Sequence, residues 1–136
     1  MELTLRPIGF VRSPYKTKGD APRQGRLSDT VSEIVIADEY REGLKDVGKK
    51  SHLFILSWFD RADRTVLLAT PPHEGIEHGV FATRSPNRPN PVALSLVDLI
   101  RCDEGVLTVR GLDALDGTPV LDIKPYSPEI DCVRER

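Results

Sequence analysis

The chain has 136 residues, the size of one domain built around one core. Its apolar share of 39% and charged share of 29% are those of a globular protein, and they exclude a disordered chain. A net charge of -2 excludes a protein coated in positive charge, and no apolar run approaches the ~20 residues a membrane helix needs.

In chain order, residues 4–11 alternate loosely as a first strand and end at Ser13-Pro14. Residues 33–37 form a short β-branched run. A helix is predicted over residues 38–47, with Gly48 near its end. Residues 52–59, rich in aromatic and β-favouring side chains, read as a buried strand. Further strands are predicted at 66–69, which stops at Pro71-Pro72, and at 79–83. In the strand over 92–100, Val92, Leu94, Leu96 and Ile100 share one parity, with Asp98 the exception. Residues 106–110 and 119–123 complete the set, with turn signals at Asp103-Glu104-Gly105 and Asp116-Gly117 between them. Many short strands with one or two short helices point to a barrel or a sandwich. The fold expected is mainly β, a small closed barrel spanning residues 1–136 as one domain, because closure removes edge strands that so short a chain has little else to cover.

Two irregular stretches stand out. Residues 14–28 hold two prolines, two glycines and four basic side chains, and long loops in compact domains are usually functional or disordered. Residues 84–91 read Arg-Ser-Pro-Asn-Arg-Pro-Asn-Pro, where three prolines fix φ repeatedly and stiffen a loop carrying two arginines and two asparagines. Basic residues also concentrate early, as Arg6, Arg12, Lys16, Lys18, Arg23 and Arg26 against Glu2, Asp20 and Asp29. This is either a local phosphate-binding surface or an ordinary solvated loop.

Several chemistries find no support. No Gly-x-Gly-x-x-Gly follows the first strand and no Walker loop is present, which argues against a Rossmann-type enzyme. No His/Cys/carboxylate cluster has zinc spacing; His73 and His78, with Glu74 and Glu77 between them, resemble a solvated polar loop, and no metal is expected. Cys102 and Cys132 are too few for a disulfide framework. Ser57, Ser85 and Ser95 lack a nucleophile-elbow context. Residues 1–7 contain no signal-peptide core, so a cytoplasmic location away from membranes is expected. What remains has binding character. Arg84 and Arg88 suit phosphate or carboxylate. Asp116 can accept from a ribose or an amine, and Gly117 lets a ligand approach the backbone. Alone, Asp116-Gly117 reads first as a plain hairpin turn.

Taken together, these residues resemble the TsaA-like (TrmO) family of tRNA methyltransferases. The similarity is carried by Ile8-Gly9-Phe10-Val11-Arg12-Ser13-Pro14-Tyr15-Lys16, Pro22-Arg23-Gln24, Ser51-His52-Leu53-Phe54-Ile55-Leu56, Gly79-Val80-Phe81-Ala82-Thr83-Arg84-Ser85, Arg88-Pro89-Asn90-Pro91, and the run from Leu115-Asp116-Gly117-Thr118 to Lys124-Pro125-Tyr126. The resemblance implies a non-Rossmann β-barrel methyltransferase that uses S-adenosyl-L-methionine. It implies a homodimer with the site near the subunit interface, and methylation of N6 of threonylcarbamoyladenosine at position 37, in the anticodon loop of tRNA. By position it places cofactor contacts on Pro22, Arg23, Gln24, Asp60, Arg61, Arg84, Leu94, Leu115, Asp116, Gly117 and Thr118. The residues expected to meet the RNA are Tyr15 by stacking, and Lys16, Lys18, Arg26, Arg88 and Asn90.

The chain departs from the family in places. Asp60-Arg61 stands where some members have His-Gln, and Ala93-Leu94 where some have Gly-Met. Larger members carry a C-terminal domain, whereas this sequence ends at Arg136. A same-fold methyltransferase with another substrate and a non-catalytic RNA-binding barrel are the alternative readings. No catalytic side chain is assigned. His52, inside a strand pattern, is expected to be a satisfied core residue rather than a base.

Overall fold

The computed structural model describes residues 1–17 and 29–134. Lys18, Pro22, Arg23, Gln24 and Arg26 therefore lie outside the described residues.

Six strands close into an antiparallel barrel. They are β1 (Gly9–Arg12), β2 (Val31–Ile36), β3 (His52–Trp58), β6 (Val92–Asp103), β7 (Val106–Arg110) and β8 (Pro119–Pro125). Around the barrel they run β1-β2-β7-β6-β3-β8. A separate two-stranded flap is formed by β4 (Leu68–Ala69) and β5 (His78–Gly79). Alternation places one face of each strand inside. β3 turns Leu53, Ile55 and Ser57 inward, and β2 turns Ser32, Ile34 and Ile36 inward. The interior is Val11, Ile34, Leu53, Ile55, Val97, Leu107, Val109 and Val120, each about fully buried. β-branched side chains dominate it, which suits a small, tightly curved barrel. Glu104 and Gly105 both take positive φ, 49° and 78°, the twist a two-residue hairpin needs to join β6 to β7.

The strand over 92–100 reverses the simplest reading of its pattern. Val92, Leu94 and Ile100 do share a face, but it is the outer one, while Ser95 and Val97 point into the barrel. The segment expected as a strand at 79–83 pairs only at His78–Gly79 and then winds into a 3-10 turn over Val80–Ala82. Val80 is buried there, and its carbonyl accepts from both the Thr83 N–H and the Thr83 hydroxyl. The helix expected at 38–47 forms as two 3-10 segments, Asp38–Leu44 and Val47–Lys49, interrupted by Asp46 in the left-handed region. Tyr40, Leu44 and Val47 pack from it onto the core. A run this short cannot offset the cost of nucleating an α-helix by itself.

The seam between β1 and β8 is short, with two paired positions, Gly9 with Val120 and Phe10 with Pro119. Four backbone bonds extend it. Ile8 N–H donates to Val120 O, Val11 N–H to Thr118 O, Gly117 N–H to Val11 O and Asp116 N–H to Tyr15 O, all at 2.7–2.9 Å.

Candidate functional site

Antiparallel alternation gathers six strand ends at one mouth: the last residues of β1, β3 and β7 and the first of β2, β6 and β8. Towards that mouth the buried inward side chains are Ser32, Ser57 and Ser95 on β2, β3 and β6, interleaved with Val11, Val109 and Val120 on the other three strands, so hydroxyls enter an otherwise apolar interior there. Beside it lies a cavity of about 1440 Å³. Its walls are the segment following β3, the β4–β5 flap, the proline-rich loop, the start of β6 and the turn preceding β8.

The proline-rich loop is held by its own arginine and by a neighbour. Arg88 Nη1 donates to the carbonyls of Thr83 at 2.9 Å and Ser85 at 3.1 Å, folding the loop back on itself. Arg64 donates from Nε to Pro89 O at 2.7 Å and from Nη2 to Asn90 Oδ1 at 3.0 Å. The same guanidinium lies 5.0 Å over the Trp58 ring. The Asp63 N–H donates to Asn87 Oδ1 at 2.9 Å. Two cavity walls, the one after β3 and the proline-rich loop, are thus tied to each other by three hydrogen bonds.

The turn before β8 is built around Gly117, whose φ of 84° is where a left-handed third residue closes a tight turn. Thr118 N–H and Oγ1 both donate to Leu115 O. Asp116 Oδ1 accepts from the Ser13 N–H at 3.0 Å, and Oδ2 pairs with Lys16 Nζ at 3.0 Å. The Ser13 N–H, and then Lys16, hold the Asp116 carboxyl below the usual carboxylate range. Both oxygens thus have protein partners, and Asp116 pins the start of the 14–28 segment to the cavity wall. Nearby, Ser95 Oγ donates to Asp113 Oδ1 at 3.1 Å.

Asp60, Arg61, Arg84, Leu94, Leu115, Asp116, Gly117 and Thr118 all line this one cavity, as do Arg88 and Asn90. The two stiff turns, far apart in sequence, meet there. Lys16 does not line it; it borders a shallower depression on the far side of Asp116. Tyr15 corrects the sequence reading, because it is only 8% exposed and packs as a core side chain, so its ring is not offered to a base. His52 begins β3, about 20 Å along the strand from the mouth. It is half-exposed rather than core, bonded to Asp98 at 3.2 Å and Ser51 at 2.9 Å, with Tyr126 edge-on. The residues missed from sequence are Phe59, His73, Glu74, His78, Phe81 and Asp113, all on the cavity wall. For His73, Glu74 and His78 the available signal was the His-Glu-x-x-x-His spacing, which reads as a solvated loop until the flap is folded over the mouth.

The electrostatics are mixed. Arg61, Arg84 and Arg88 line the cavity together with Asp60, Glu74, Asp113 and Asp116 and with apolar side chains such as Phe59, Leu94 and Leu115, a mixture suited to a zwitterionic ligand with an aromatic body. Among the described residues no group of three or more His, Cys, Asp or Glu side chains is placed to hold a metal, and no helix is long and apolar enough to cross a membrane.

Comparison with known proteins matches this architecture. An S-adenosyl-L-methionine-binding protein of Archaeoglobus fulgidus is 56% identical over 133 residues, covering 98% of this chain and 96% of its own. A "probable S-adenosyl-L-methionine-binding protein" of Methanothermobacter thermautotrophicus is 53% identical over 131 residues, covering 96% and 95%. Among solved structures, TrmO from Pseudomonas aeruginosa superposes with a TM-score of 0.81 at 35% identity over 100% of this chain. A second TrmO crystal structure gives 0.86 at 35% identity, again over 100% of this chain. This chain spans 61% and 62% of those two. Residues 10–132 match the family described as tRNA-methyltransferase O N-terminal domain, and the chain belongs to that family.

Proposed function

We propose that this protein is an S-adenosyl-L-methionine-dependent methyltransferase acting on N6 of threonylcarbamoyladenosine at position 37 of tRNA, and that it works as a homodimer. The observation that carries the reading is the meeting of the proline-rich loop and the Asp116-Gly117 turn on one cavity whose donor set suits the cofactor. An adenine needs apolar walls, and Leu94 and Leu115 supply them. A ribose needs acceptors and close backbone approach, which the turn at residues 115–118 offers. The amino-acid end of the cofactor needs a cation for its carboxylate and an acceptor for its ammonium, for which Arg84 on the proline-rich loop and Asp60 after β3 line the same cavity. Pro22, Arg23 and Gln24 are further candidate contacts by family position.

Bound there, the cofactor supplies an electrophilic methyl group. The chain's task is alignment, since holding donor and acceptor about 3 Å apart in line contributes ~7–11 kcal/mol of barrier lowering. A carboxylate set directly against the sulfonium would stabilise the ground state, whose charge vanishes as the methyl leaves. The partners Asp116 already has, Ser13 and Lys16, keep its charge compensated. The dimer reading is supported by the outward apolar side chains Val92, Leu94 and Ile100 on β6 and by Phe81, which is 79% exposed at the cavity rim. For the RNA, Lys16, Lys18, Arg26, Arg88 and Asn90 remain the proposed contacts, without Tyr15.

Calorimetry tests the cofactor half of the reading. The protein should bind S-adenosyl-L-methionine, and Arg84→Ala should weaken binding while leaving the fold intact; wild-type affinity in that variant refutes the anchor. Nucleoside mass spectrometry of tRNA from cells lacking the gene tests the substrate half. Loss of the N6-methylated nucleoside is expected, and an unchanged nucleoside profile refutes it.

A further inference from the structure

The flap brings ionisable side chains to the cavity that cofactor binding does not use. β4 and β5 pair through Leu68 with Gly79 and Ala69 with His78. Between them, the N–H groups of Glu74 and Gly75 both donate to Pro71 O, at 3.1 and 3.0 Å, and close a tight turn. That turn sets Glu74 back against His78, with Oε2 and Nε2 2.7 Å apart. His73 Nε2 stands 4.0 Å from the other carboxylate oxygen. All three side chains line the cavity. A contact of 2.7 Å between a ring nitrogen and a carboxylate is in the charge-assisted range. With the Nε2 proton donated to Glu74, the Nδ1 lone pair of His78 is left as an acceptor, and the carboxylate is placed to stabilise an imidazolium.

Resting on the methyl-transfer reading above, we propose that His78, oriented by Glu74, takes the proton that the acceptor nitrogen must lose. An N–H acceptor cannot keep its proton after gaining a methyl group without carrying a positive charge. In the step proposed, the nitrogen forms a bond to the methyl carbon as the carbon–sulfur bond breaks, its electron pair staying on sulfur. The nitrogen's proton passes to His78 Nδ1 and from there to water. Glu74 remains a carboxylate throughout, as the orienting partner of a base does. On the flap itself His73 and Glu74 face His78. The other charged groups lining the cavity are Asp60 and Arg61 after β3, Arg84 and Arg88 on the proline-rich loop, and Asp113 and Asp116 before β8.

The test is single-turnover methyl transfer by the whole protein, with saturating cofactor, to an anticodon stem-loop RNA carrying threonylcarbamoyladenosine. The wild-type rate should rise with pH to a plateau, because only neutral His78 accepts a proton. His78→Gln should slow the step by about 10²–10⁴-fold and abolish that rise, with cofactor affinity and melting temperature unchanged. Glu74→Gln should slow the same step with cofactor affinity unchanged, and Glu74→Asp should recover part of the rate, since the carboxylate orients the ring. A His78→Gln protein that methylates at the wild-type rate, or keeps the wild-type pH profile, overturns this inference alone. A wild-type protein that binds cofactor but methylates no such RNA overturns the proposed function and this inference with it.

Discussion

Replacing Arg64 with Met tests whether the tie between the two loops sets the shape of the cavity. The substitution keeps an unbranched apolar stem over Trp58. It removes the cation 5.0 Å above the ring and the two hydrogen bonds to Pro89 O and Asn90 Oδ1. A cation–π contact at an exposed site is worth about 0.5–1 kcal/mol. Each hydrogen bond adds a net of about 0.5–1.5 kcal/mol, the low end applying because all partners are exposed. Ordering the long Arg side chain offsets part of this. The remainder, about 1–2 kcal/mol, acts on the proline-rich loop and not on the barrel. If that loop must be in place for the cofactor to bind, calorimetry should show the dissociation constant rising about 5–30-fold. Arg64→Lys, which keeps the charge but loses the fork, should fall between. The melting temperature should barely move, because Arg64 touches no interior side chain of the barrel. A Met variant that binds cofactor within about twofold of wild type refutes the reasoning, since the tie would then be ornamental to binding.

Asp116 gives a prediction with a sign. Its carboxyl is depressed, so the stability it contributes is present above its unfolded-state pKa and is lost as pH falls through the lower folded-state value. The tie to Ser13 and Lys16 should therefore hold at neutral pH and fail only in acid, below the ordinary carboxylate range. A carboxyl-carbon NMR titration placing Asp116 in or above that range refutes this. Gly117→Ala meets no atom within 4 Å and suffers only from its φ of 84°. It should lower stability by about 1–2 kcal/mol in thermal or urea unfolding, and Gly117→Asn by less. Ile55→Ala, at a fully buried inward position of β3, should cost about 2–5 kcal/mol by the same measurement.

Strand positions were legible because β-branched runs between turn signals leave few alternatives; residues 52–59 and 106–110 were read nearly to the residue. The face each strand buries was not. Alternation in Val92, Leu94 and Ile100 says that these residues lie together, and it says nothing about which side closes inward. Only the pairing of β6 with β3 and β7 turned Ser95 and Val97 to the core. The proline-rich loop and the Asp116-Gly117 turn were visible as stiff polar segments, because proline and glycine announce their own backbone. Tyr15 misled because an aromatic in a basic, proline-flanked stretch looks exposed, although it packs inward beside Asp116. His78 and Glu74 read only as a solvated polar loop because strand signals at 66–69 and 79–83 do not say that these segments pair with each other and turn the residues between them back on the ladder.

The narrow join between β1 and β8 ties recognition to integrity. Two paired positions close the cylinder there, and the residues that continue the zipper, Thr118, Gly117 and Asp116, are the rim on which the cofactor is proposed to rest. Occupying that rim would fasten the gap shut, and prising the gap apart would dismantle the rim. Amide exchange at Val11 and Gly117 is the natural gauge, slowing in step with saturation while Val97 and Leu107, on β6 and β7 across the cylinder, stay unmoved.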